Sequence, residues 1–326
     1  MAVDVTTFAA QARTEFAMGM EGAYEKPIPA AYDLFTTTYP SSVKVETHTY
    51  MSNLPRLQRF KGYSPGVRLE DNTYTITNFP WRIGPVKINL DDLDDDQGGG
   101  YLRQINRLPA RGQKDLAHEA LSYLAAGTSN LCFDGTALFA NSHTWGSGDN
   151  LMAGSGDLMD NAGNDGVTHY IIALVTDNSD MKPLILQQRE EIKAYDDFDS
   201  ADAQKRREAE FWGHGRFGFG YGMWWDAIHA TVTDTPTVAE CYTMIESIIN
   251  RFRTFTLPKG DNIDTTLYAH EGWEPTAQNF VLLCNLKLGQ ILKRALSISQ
   301  YVASTGNVDN VYQNVATVLP TSALGA

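Results

Sequence analysis

Three groupings of residues have types that chemistry uses, and each lacks a part its chemistry needs. Asp92, Asp94 and Asp96 stand at the first three ligand spacings of a calcium loop. Such a loop turns on a glycine at its sixth position and closes with a bidentate glutamate at its twelfth; here these are Gln97 and Arg103. Gly213-His214-Gly215-Arg216-Phe217-Gly218 has the glycine spacing of a dinucleotide fingerprint, which lets a pyrophosphate reach a helix N-terminus. Phe217, Phe219 and Tyr221 then alternate with Gly218, Gly220 and Gly222, so the run continues at the period of a strand and no helix opens. Ser142 beside His143 pairs a nucleophile type with a base type, but no G-x-S-x-G elbow surrounds it, and adjacency in sequence is not triad geometry. The chain is therefore read as a non-enzyme, with no catalytic residue, cofactor or metal.

The elements around these groupings suggest a different occupation. Thr73–Ile76 and Val86–Leu90 alternate like strands exposed on one side, and Pro80, Gly84 and Pro85 lie between them. The expectation is a long hairpin arm with Trp81 at its tip. A lone hairpin is marginal in water, so Tyr74, Phe79 and Trp81 need an outside surface: their own domain or a neighbour. Removing residues 70 to 88 would then leave a folded subunit. Leu116, Ala117, Ala120, Leu121 and Leu124 form one helical stripe, with His118 on the solvated face, Pro109 and Gly112 ahead of the helix and Gly127 behind it. Residues 4 to 20 predict an amphipathic helix with Phe8 and Phe16 on its apolar face, covered by the body or by another molecule. Residues 24 to 50 read as an irregular arm, and residues 146 to 166 as a surface loop. The glycine-aromatic run predicts a strand whose bare face lets another backbone approach closely. Strands are further expected near Val167–Val175, Lys182–Arg189, Phe280–Cys284 and Val311–Leu319, with helices after Thr235-Pro236 and after Asn285.

Composition narrows the partners. A formal charge of -13 argues against gripping nucleic acid, which needs clustered Lys and Arg. Lys205-Arg206-Arg207 is followed by Glu208 and Glu210, as on a helix surface. Cys132, Cys241 and Cys284 include no C-x-x-C pair and read as reduced thiols. The sequence shows no basic n-region with an apolar run, and no apolar stretch of membrane-spanning length.

Several local runs resemble one family in one order. They are Tyr39-Pro-Ser-Ser, Asn53-Leu-Pro-Arg-Leu, Tyr74-Thr-Ile-Thr-Asn, Val86-Lys-Ile-Asn-Leu with its aspartates, Phe133-Asp-Gly-Thr-Ala-Leu-Phe with His143, Lys182-Pro-Leu-Ile with Gln188-Arg189, and Phe219-Gly-Tyr-Gly-Met-Trp-Trp. The chain thus resembles the major head subunits of Mu-like bacteriophages, coat proteins of the HK97-type fold. The run ending Leu283-Cys284-Asn285 has no counterpart in that pattern, and the helix before Gly127 matches in pattern only.

The resemblance implies an α+β fold: an N-terminal arm (1–47), an extended E-loop hairpin region (48–97), a peripheral domain with a long spine helix (98–145), and an axial domain with returning peripheral strands (146–326). It implies self-assembly into hexamers and pentamers of an icosahedral shell around double-stranded DNA, in a virion assembled in the bacterial cytoplasm. Portal and a separate scaffolding protein are expected partners, since the arm helix begins almost at Met1, and a decoration protein is a further candidate. DNA would lie near without specific binding, and no membrane is involved. Candidate inter-subunit contacts are Tyr74, Phe79, Trp81, Arg82, Asp94, Asp95, Asp96, Phe8 and Phe16. An encapsulin-like compartment shell is an alternative, and a cytosolic nucleotide- or metal-dependent enzyme a more remote one.

Overall fold

The computed structural model describes residues 14–19, 31–52, 69–89, 92, 100–152, 166–177, 181–197, 200–258, 266–303 and 306–324. In chain order the elements are β1 (Thr36–Pro40), β2 (Val45–Met51), β3 (Asp71–Thr77), β4 (Phe79–Asn89), α1 (Gly100–Ala125), β5 (Leu151–Met152), β6 (Thr168–Val175), β7 (Leu184–Asp197), α2 (Ala201–Arg206), β8 (Glu208–Tyr221), β9 (Ala227–Thr233), α3 (Val238–Phe252), β10 (Phe280–Cys284), α4 (Leu286–Ser297), β11 (Gln300–Ala303), β12 (Gly306–Asp309) and β13 (Thr317–Pro320).

One sheet has the order β13-β10-β6-β9-β5. Its inner strand β10 is Phe-Val-Leu-Leu-Cys with every residue buried, as expected of an apolar run with strands on both sides. Helices α3 and α4 pack against it through Cys241, Ile245, Ile248, Leu288 and Leu292, all buried in the main core. The α3 start lies two residues beyond the expected Thr235-Pro236, because Thr237 accepts the Glu240 N–H and Glu240 returns the bond, completing a capping box. Asn285 caps α4 by accepting the Leu288 N–H at 3.0 Å. The three cysteines are free and buried, and burial pushes the Cys241 and Cys284 thiols up to about 12, so they stay protonated.

A second sheet has the order β1-β7-β8-β4, with β1 parallel to β7 and the other pairs antiparallel. Phe16, Ile88, Ile105, Leu186, Ile192, Ala209, Phe211 and Phe217 form a core of their own here. Helix α1 contributes Ile105 and begins at Gly100, well before the expected start, with Pro109 and Gly112 inside it. A mid-helix proline costs ~3 kcal/mol. Burying Ile105 and part of Leu108 returns roughly 1.5–3 kcal/mol per fully buried side chain, enough to carry the helix through.

The expected hairpin between residues 73 and 90 does not form. β3 pairs with β2, from Val45 opposite Thr77 to Met51 opposite Asp71, while β4 pairs with β8. The divider is Asn78, which is buried: its N–H donates to the Lys44 carbonyl, and its Nδ2 donates to the Val43 carbonyl at 2.8 Å and the Ser41 hydroxyl at 3.1 Å. These bonds hold the chain where it leaves one sheet for another. Pro80 and Pro85 are tolerated because β4 is an edge strand, and the register shift between Ile83 and Val86 absorbs the Gly84-Pro85 step. Deleting residues 70 to 88 would strip an edge and the core residue Ile88 from the second sheet, so it would not leave the folded remnant that a free hairpin implies. The arm expected over 24 to 50 likewise contains two paired strands, β1 and β2. Among the described residues no helix is long and apolar enough to cross a membrane.

Candidate assembly site

Strand β8 presents the bare face that its glycines predict, and β3 occupies it. A Cβ added to Gly218 would lie 2.6 Å from the Thr77 carbonyl oxygen, and one added to Gly220 would collide with the Ile76 side chain. Ile76 is 1% exposed as a result. The glycines therefore form a seat for the β2–β3 hairpin instead of a phosphate cradle.

Polar bonds pin the hairpin to that seat. Gln187, wholly buried on β7, donates to the Ile76 carbonyl and lies 2.9 Å from His48 Nε2. Tyr50 donates to the Tyr221 carbonyl at 3.0 Å and stacks on Phe133 at 4.4 Å. The Tyr74 hydroxyl meets that of Tyr123 on α1 at 3.3 Å, and Tyr221 stacks on Tyr123 at 4.7 Å. Burial raises the phenol pKa of Tyr50, Tyr74, Tyr123 and Tyr221, so all remain neutral hydrogen-bonding groups. At the outer end of the hairpin, Met51 and Leu69 are exposed, 63% and 38% respectively.

Below the seat a second polar group is closed off from water. His143 Nδ1 is 2.8 Å from Asp134 Oδ2, and Nε2 is 3.1 Å from Asn150 Oδ1. Asn150 Nδ2 is ringed by the carbonyls of Leu138, Trp224 and Ala227, and its Oδ1 also accepts the Ala140 N–H, which fixes the amide orientation. Both ring nitrogens of His143 thus face oxygen atoms. The ring lies flat on Trp224, 4.0 Å away at 2°. Asp134 is held below the ordinary carboxylate range: desolvation pushes it up, but bonds from His143 and Thr136 outweigh that. Ser142 has no part in this, and the group is a joint between loop and core.

The expected contact residues scatter. Tyr74 is half-buried in the seat. Phe79, 58% exposed, is free to meet another surface. Trp81 is not at a tip: its Nε1 donates to the Phe217 carbonyl at 3.2 Å and its ring meets Phe219 edge-on at 6.0 Å. Arg82 is exposed with its guanidinium 5.0 Å over Trp212. Phe16 is 2% exposed against Phe211, so within the chain it is a core residue and not a spare contact. Phe8, Asp94, Asp95 and Asp96 lie outside the described residues.

A family model, the Mu-like prophage major head subunit gpT, matches residues 5–254. The chain belongs to that family. It is a major head subunit of a tailed phage or prophage, a structural protein of the virion. The major capsid protein of Escherichia phage Mu is 25% identical over 224 residues, 66% of this chain and 70% of that protein. The bacteriophage JBD30 capsid subunit shares the fold with a TM-score of 0.71 at 17% identity, over 91% of each chain. The JBD30 procapsid subunit matches with a TM-score of 0.65 at 22% identity, over 99% of this chain and 100% of that one. The architecture is thus the HK97-like one of phage capsids, as the resemblance implies. For a Mu-like head subunit, sequence reasoning missed Asn78, Gln187 and the Asp134–His143–Asn150 group. Gln187 had a signal: one polar residue extending the apolar run Leu184-Ile185-Leu186 of a buried strand.

Proposed function

We propose that copies of this chain close into an icosahedral shell of hexamers and pentamers around double-stranded DNA, each copy reaching a neighbour with its β2–β3 hairpin. The supporting observation is the hairpin itself: one face of it is bonded to its own subunit through Tyr50, Tyr74 and Ile76, while Met51 and Leu69, beside the segment that joins its strands, are exposed. The E-loop role then belongs to residues 45 to 77, with β4 part of the peripheral sheet. Each apolar contact contributes modestly, at roughly 25 cal/mol per Å², and repetition around a closed shell multiplies it. Portal and a separate scaffolding protein complete the partner set. A JBD30 capsid decorated with minor capsid protein trimers is a further structural relative, with a TM-score of 0.67, and suggests the kind of decoration partner to seek.

Electron microscopy of the purified protein tests this reading, with closed shells expected. Replacing residues 53 to 68 by a Gly-Ser linker should leave the melting of dissociated subunits unchanged and abolish shells. Intact particles from that variant would remove the hairpin from the assembly account.

A further inference from the structure

We propose that a cavity beside the hairpin receives a lysine or arginine side chain from a neighbouring copy of the chain. This rests on the shell reading above. The cavity, about 430 Å³, lies where β2 ends: Met51 forms one wall, Met223 and Trp225 another, and Trp273 a third. Among the described residues its charged lining is Asp177, Asp226 and Glu271, with no Lys or Arg.

Asp226 is the deciding group. It is 2% exposed, and its Oδ2 has no hydrogen-bond partner among the described residues. Its Oδ1 lies 3.5 Å from His270 Nε2, but that N–H is given to the Trp225 carbonyl at 2.8 Å. Burial lowers the pKa of His270, so the ring supplies no counter-charge. Burial raises the Asp226 pKa well above the ordinary carboxylate range, and a cation beside the carboxyl would lower it again.

The occupant follows from charge complementarity. A buried carboxyl oxygen without a partner is costly, and a charge-assisted bond relieves it. The indole faces of Trp225 and Trp273 favour a cation. A metal ion fits poorly, since among the described residues no group of three or more His, Cys, Asp or Glu could hold one. An ammonium or guanidinium needs only one or two carboxylates. The cavity also adjoins exposed Met51, at the end of the hairpin assigned to the neighbour.

Asp226→Asn keeps the shape and removes the group able to carry a negative charge opposite a cation. Dissociated variant subunits should melt no lower than wild type, because the change removes a strained buried acid. Their shells should dissociate at lower denaturant, corresponding to about a tenfold loss or more per contact in association constant. Shells as resistant as wild type would overturn the proposal, as would a subunit destabilised in step with its shell. If wild-type protein forms no shells, the function proposed above fails and takes this inference with it. Should the variant not fold, a map of the wild-type shell decides: a neighbour's basic side chain about 3 Å from Asp226 Oδ2 supports the proposal, and its absence overturns it.

Discussion

Asp134 and Asp226 are built from the same parts and finished differently. Each is a buried carboxyl close to a histidine and a tryptophan. At Asp134 the histidine turns a ring nitrogen to the carboxylate, its other nitrogen finds the Asn150 oxygen, and the indole lies flat against the ring. At Asp226 the histidine N–H goes to the Trp225 backbone instead, and one carboxyl oxygen is left over. A closed network specifies one packing and holds a loop to a core. An open one makes sense where something else arrives, and the open one lines a cavity. Within one subunit, then, the first is expected to matter for folding and the second for assembly.

The largest test removes the histidine from each. His143→Ala leaves a buried carboxylate and the Asn150 amide oxygen each short of a partner and opens a void against Trp224, so a loss of about 3–5 kcal/mol is expected. His270→Ala removes one bond to a backbone carbonyl and leaves a small void, so about 1–3 kcal/mol is expected. Chemical denaturation of dissociated subunits measures both. Equal losses would erase the distinction between the two sites.

What the sequence made legible depends on whether one segment held the signal. The buried run Phe280–Cys284, the stripes of α3 and α4, and the glycine-aromatic alternation of β8 each announce their structure from within. Alternation gives a strand its two faces but not its partner, and so it suggests a β3–β4 pair where Asn78 sends the two to different sheets. The helix start at Gly100 depends on a core to which Phe16 and β8 contribute, far away in sequence. The Asp134–His143–Asn150 group is closed by carbonyls from Trp224 and Ala227, more than seventy residues on. Asp226 was invisible for the converse reason: its character lies in a bond that His270 does not make.

The gentlest way to sharpen the contrast is acidity, because the two carboxyls should pull stability in opposite directions. The pKa of Asp134 is lowered in the folded protein, so its contribution is present above the unfolded value of about 3.9 and is lost as pH falls through the lower folded value. Asp226 is raised well above its ordinary value by desolvation, so its contribution is present below about 3.9 and is lost as pH rises through the folded value. Asp134→Asn should therefore be less stable than wild type at neutral pH, the gap narrowing in strong acid. Asp226→Asn should match wild type in strong acid and surpass it towards neutrality. Denaturation of dissociated subunits from about pH 1 to about pH 7 separates the two. If the variants ran parallel to wild type, neither carboxyl would be held as described; if both gaps ran in the same direction, Asp226 would have a partner within its own chain.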